Sequence, residues 1–242
     1  MLRFLFVVVA ACDAGVGDRE AGVADTSAAA APVAAQEVAA LPRLEGVATF
    51  RPVDEGDADA SFARFRAELL RAVERRDSAA LVDVLVPEIR LSFGGDAGIA
   101  SFHEWWRPGD AQSEIWATLE AVLRNGGIFA RPEQGDTLFM APYVYAAWPD
   151  FDPFEHVATL TETAVMRAAP ADSARAIGVL PHQIVRYRYD EQDAPEDWTP
   201  IELPDGTRGW MRSADVYSPV GYRAIFAKQS GRWRMITLIA GD

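Results

Sequence analysis

Acid–base chemistry would have to come from very few side chains. The chain holds three histidines, His103, His156 and His182, whose scatter matches no metal-ligand spacing, so neither a metal nor a cofactor is expected. His103 alone stands near other usable groups. Asp96, Trp105 and Trp106 surround it in sequence, and Tyr143 and Tyr145 follow in the same predicted domain. An imidazole, a carboxylate and a phenol converging on one pocket can carry a proton to and from a bound substrate. The alternative is that the aromatics fill the core and His103 is an ordinary hydrogen-bonded helix residue. Nucleophilic chemistry has less to build on. The single cysteine, Cys12, lies in an apolar N-terminal run, and no Gly-x-Ser-x-Gly elbow occurs. Acidic residues number 36, but none is set apart as a glycan-hydrolysing pair. No catalytic set is legible, and the expectation is binding without turnover.

Binding has a more defined candidate. Tyr187, Trp198, Trp210 and Tyr217 lie on or beside short strand-like runs and would line an aromatic groove for a peptide. Trp198 and Trp210 can equally be core residues or stacking partners across two strands. Charge narrows the ligand. With 242 residues and a formal charge of −13, the chain lacks the basic face that releases counterions from nucleic acid. Lysine and arginine together number 23, and only Lys228 is a lysine, which reads as the codon bias of a GC-rich bacterial genome.

The N-terminus speaks to location. Arg3 is followed by eight apolar residues before Cys12, too few to span a bilayer and enough for a signal-peptide core. Val9-Ala10-Ala11-Cys12 resembles a bacterial lipoprotein cleavage box, which implies lipidation at Cys12 after removal of residues 1–11; the alternative is a plain secretory signal with a chance cysteine. The protein is therefore expected to be exported and held by a lipid anchor, facing the periplasm or the cell exterior. Residues 12–60 show no hydrophobic period and read as a disordered tether whose ends lie roughly 40 Å apart, with 41–50 as a stretch able to dock as a strand.

Periodicity then places the elements. Phe62, Phe65, Leu69 and Val73 recur at helical spacing. Ser78 caps a short helix over 79–86 that Pro87 stops. Ile89, Leu91 and Phe93 alternate with polar residues as a strand, and the glycines at 94–98 read as a sharp turn. The pattern Ser101-Phe-His-Glu104 suggests a capping box for a helix over 99–106, and a further helix covers 113–124. Residues 139–148 read as extended. Pro204-Asp205-Gly206 is a tight-turn tripeptide between two strand-like runs, 198–203 and 207–211.

Two resemblances organise these pieces. Ala164-Val-Met-Arg167-Ala-Ala-Pro170, the runs 176–180 and 184–189, Trp198 and Asp205-Gly-Thr-Arg-Gly-Trp210 together resemble the bacterial SH3-type domain. Pro181-His182 departs from that family's glycine-bearing turn, and 193–197 makes a longer, acidic loop. The resemblance implies a small β-barrel over 155–218 that binds cell-wall peptide or another protein, and it implies no catalysis. The closing run Gly231-Arg-Trp-Arg-Met-Ile236 resembles the last hairpin of NTF2-like cone-shaped domains, which implies that 219–242 returns to complete the sheet of an α+β domain over 61–154. The expected architecture is α+β, with an inserted SH3-type barrel and a C-terminal hairpin returning to the first domain. The expected partners are peptidoglycan or an envelope protein. An NTF2-like enzyme or small-ligand domain, with a pocket near His103, Asp96, Tyr143 and Tyr145, is the alternative.

Overall fold

A short strand, β1 (Ala48–Thr49), comes first among the described residues, which are 38–242 except Gln134, Gln192 and Asp242 in this computed structural model. The predicted signal peptide, Cys12 and the start of the tether lie outside them. Helix α1 (Ala60–Glu74) begins at Asp59, whose carboxylate accepts from the Ser61 and Phe62 amides at 2.7 and 3.1 Å. Helix α2 (Ser78–Asp83) is capped in the same way by Asp77, one residue before the predicted Ser78. It ends at Asp83, so the predicted helix over 79–86 is cut short and β2 (Leu85–Arg90) takes its last residues. Pro87 is tolerated within β2 because that strand lies at a sheet edge.

Helices α3 (Gly98–Trp106) and α4 (Ile115–Arg124) follow; α3 starts after Ala97 with no side-chain cap, so the Ser101 box is not made. Strands β3 (Ile128–Ala130) and β4 (Leu138–Ala141) form a hairpin, and a single helical turn, α5 (Tyr143–Ala146), comes next. The stretch 139–148 is therefore only half extended. Tyr143 and Val144 turn in to pack on Phe50, Ala158 and Ile184, and that burial overrides the local alternation.

The chain is α+β, with two sheets. Strands β5 (His156–Thr159), β6 (Val165–Arg167), β7 (Ala176–Val179), β8 (Gln183–Tyr187), β9 (Trp198–Glu202), β10 (Arg208–Arg212) and β11 (Val216–Tyr217) form one of them, in the order β11-β5-β8-β9-β10-β6-β7. The chain then enters β12 (Arg223–Gln229) and β13 (Arg232–Ile239), which join the other sheet in the order β2-β13-β12-β4-β3. Apart from β1, which pairs with β8, the strands of the first-described sheet thus all fall, in sequence, between β4 and β12.

The helix-backed sheet has the larger core. Phe62, buried in α1, meets Phe139 and Trp233 with ring centroids 4.0 and 4.9 Å away, and Phe226 at 5.8 Å. Full burial of such a ring contributes roughly 1.5–3 kcal/mol. The other sheet has a smaller core, built from Val157, Met166, Val185, Ile201 and Met211 among others. Its strand path is open, ending at β11 and β7, where a closed barrel was expected. Residues 42–50, part of the tether stretch expected to be able to dock as a strand, pair with β7 and β8. Leu44 N–H donates to the Val179 carbonyl at 2.8 Å, Val179 N–H to Pro42 at 2.9 Å, and Val47 N–H to Ile184 at 2.7 Å. The segment is ordered because β7 and β8 each offer it an unpaired edge. Gly178 permits the approach, since a Cβ there would lie 2.6 Å from the Leu44 Cγ and the Pro42 carbonyl oxygen.

Candidate functional site

Strand β8 carries alternate side chains to opposite faces, and Tyr187 shares a face with its cross-strand partner Ile201 of the small core. Two residues on, Tyr189 follows on the same side, and the two rings meet edge to face at 4.7 Å. Tyr189 is 62% exposed and donates its hydroxyl hydrogen bond to the Phe154 carbonyl, beside the Phe154 ring, which is 48% exposed. Burial is the first cause that raises the Tyr189 hydroxyl pKa, followed by Tyr187, Asp152 and Glu155, so the ring stays neutral as a hydrogen-bonding group.

Two cavities flank this tyrosine pair. One, of about 250 Å³, reaches in past Phe154, Val157 and Val216 and offers the hydroxyls of Thr199, Ser213 and Ser218. The other, of about 260 Å³, is charged, with Arg186, Arg188 and Arg208 facing Glu155, Asp190 and Glu202. Its charges are already arranged. Arg188 bonds Asp190 at 3.1 Å and Glu191 at 2.6 Å, while Arg208 bonds Glu202 at 2.7 Å. Burial opposes the Arg188 charge, and its acidic partners outweigh that and raise its pKa. Asp190 is held below the ordinary carboxylate range, chiefly by its hydrogen bond from Arg188. An apolar socket beside an ordered charged rim is the kind of surface that seats one side chain of an extended peptide and reads its neighbours.

The four predicted groove residues do not share one surface. Trp198 pairs directly with Arg212 and Trp210 with Pro200, which puts both indoles on the face away from Ile201 and Tyr187. Trp198 is only 7% exposed, with the Arg212 guanidinium 4.5 Å above its ring. Tyr217 sits beside the cluster that joins α5 to the sheet, where its hydroxyl donates to the Tyr222 carbonyl at 2.5 Å. Of the four, Tyr187 alone lines the cleft. Tyr189 and Phe154 were missed: Tyr189 was legible as the residue two beyond Tyr187, but only the tertiary fold brings Phe154 there.

No family model, curated protein or solved structure matches this chain. The assignment of a site therefore rests on geometry. The residues proposed for acid–base work lie in three separate surroundings. His103 is exposed on α3, and Asp96 is exposed in the preceding turn, where it accepts from the Ser92 hydroxyl at 2.7 Å. Tyr143 is buried between the sheets with its hydroxyl unpartnered, and burial pushes its pKa up to about 12. Tyr145 lies under the Arg223 guanidinium at 4.6 Å. Among the described residues no group of His, Cys, Asp and Glu is placed to hold a metal ion, and no helix is long and apolar enough to cross a membrane.

Proposed function

We propose that the protein is a non-enzymatic binding protein of the bacterial envelope, which receives an extended wall peptide along the cleft at Tyr187, Tyr189 and Phe154. The observation that carries this reading is an edge-to-face tyrosine pair, half open to solvent, standing between an apolar socket and an ordered charged rim. In this reading β5 to β11 are an SH3-type domain carried as an insertion in an α+β domain, with residues 42–50 as a strap along its open side. His182 lies in the turn where the chain departs from that family's glycine-bearing pattern, and it adopts φ +51, the left-handed conformation that glycine takes at least cost. Export through the signal peptide and lipidation at Cys12 would place the cleft at the cell wall.

Co-sedimentation of the full chain with purified peptidoglycan tests this. The expected result is a pelleted fraction that falls at least about tenfold in Tyr189→Ala, a change at an exposed ring that leaves the core intact. Trp210→Ala, which removes a ring that lines neither cavity, should leave pelleting unchanged. Protein that stays in the supernatant, or pellets equally with Tyr189→Ala, overturns the wall-peptide reading and favours a protein partner.

A further inference from the structure

A second cavity, unconnected with the tyrosine cleft, opens where α3 ends. It has a volume of about 320 Å³ and is walled by Trp105, Trp106, Arg107, Asp110, Glu114 and Tyr222. Its loop is folded by its own contacts. Arg107 takes φ +42 at the helix end, the Asp110 amide donates to the Arg107 carbonyl at 2.8 Å, and the Ser113 hydroxyl donates to the Trp106 carbonyl. A non-glycine residue held left-handed costs free energy that the surroundings must supply, and such positions gather at binding sites. The Trp106 ring packs against Tyr222 at 5.0 Å, and its indole N–H is buried with no partner in the protein. Trp106 is 8% exposed, whereas its neighbour Trp105 is 47% exposed and presents a flat apolar face.

Each simpler ligand class meets an obstacle. A small anion would meet the carboxylates of Asp110 and Glu114, and Glu114 lies close enough to Tyr222 to help hold its hydroxyl protonated, after burial as the larger cause. A simple cation would meet the Arg107 guanidinium. A neutral ligand bearing many hydroxyls satisfies every group, because each hydroxyl both donates and accepts. Carboxylates take its hydrogens, the guanidinium gives to its oxygens, and an aromatic ring covers its C–H face.

We propose that this cavity is a carbohydrate site, which takes a neutral sugar ring against Trp105, beside the Trp106 indole, with its hydroxyls on Arg107, Asp110 and Glu114. The site is independent of the tyrosine cleft, so the two stand or fall separately.

The test is a titration of the full ¹⁵N-labelled chain followed through its seven tryptophan indole N–H signals. The Trp106 signal is assigned by its disappearance in Trp106→Phe. The probes are chitotriose and maltotriose, with glycine betaine and acetate as charged controls. The expected result is a saturable shift of the Trp106 signal with one of the sugars, at least about tenfold weaker in Trp105→Ala and unchanged in Tyr189→Ala. No saturable shift up to about 10 mM sugar, a shift that survives Trp105→Ala, or a response confined to betaine or acetate overturns the proposal. Loss of peptidoglycan pelleting in Tyr189→Ala with the sugar response intact would confirm that the two sites are distinct.

Discussion

The two sheets put their aromatic residues to opposite use. In the helix-backed sheet Phe62, Phe139, Phe226 and Trp233 are buried and in ring contact, under α1 and α4. Along β8 and its approach, Tyr189 and Phe154 stand open to water and Tyr187 is half-buried. The reason is geometric. A sheet covered by helices buries a whole face, whereas β5 to β11 contain no α-helix of their own and enclose a small core by curling. That sheet takes its remaining cover from elsewhere in the chain, from residues 42–50 along one edge and from Phe50, Tyr143 and Val144 over the β5–β8 face. One region is a support built around rings, and the other displays rings on a frame completed by its neighbours.

The sharpest way to break this contrast is to remove a ring from each side. Phe62→Ala should destabilise the protein by about 3–5 kcal/mol, because the cavity it leaves is walled by five other aromatic side chains that cannot collapse together. Denaturant unfolding measures it, and a loss close to zero would mean that the first core is not close-packed. By contrast, Tyr189→Ala should leave stability within about 0.5 kcal/mol. The next largest effect probes the borrowed cover. Gly178→Val drives a side chain into Leu44 and Pro42, and should cost about 1–3 kcal/mol. Its signature is local: the Leu44 and Val47 amides, which bond β7 and β8, should lose hydrogen-exchange protection, while those of β12 and β13 keep theirs. Retained protection at Leu44 and Val47 would show that the strap is not what finishes this sheet.

How far the sequence could be read follows the same division. Helix α1 was plain from Phe62, Phe65, Leu69 and Val73, and the β9–β10 hairpin from Pro204-Asp205-Gly206, since both signals are local. That 41–50 could dock as a strand was readable, but where it docks was not, because its partners, Val179 and Ile184, lie more than a hundred residues away. Tyr143 and Tyr145 looked like strand residues for the same reason, as the helical turn depends on contact of Tyr143 and Val144 with Phe50 and Ile184. Within the site, Tyr187 was visible and Trp198 misleading. Their parity across β8 and β9 depends on a register, Tyr187 opposite Ile201, that composition does not encode.

A smaller loss than at Phe62 or Gly178 is expected at the one lysine, at the seam between the start and the end of the helix-backed region. Asp59 caps α1, accepts from the Ser61 hydroxyl at 2.5 Å, and bonds the Lys228 ammonium of β12 at 3.0 Å, while the Trp233 indole donates to the same Ser61 hydroxyl at 3.0 Å. The Ser61 hydroxyl first, and Lys228 second, hold the Asp59 carboxyl well below its ordinary value of 3.8. A depressed carboxyl binds fewer protons in the folded state than in the unfolded one, so its contribution is complete above 3.8 and drains away as pH falls towards the folded value. Asn also caps helices well, so Asp59→Asn removes the charge and spares the cap. With both side chains partly exposed, the loss at pH 7 should be about 1 kcal/mol, shrinking as the pH falls below about 3. Parallel urea titrations at the two pH values measure the difference. A penalty that stays constant with pH would mean that the Asp59–Lys228 charge pair contributes nothing, and that the cap alone ties α1 to the closing hairpin.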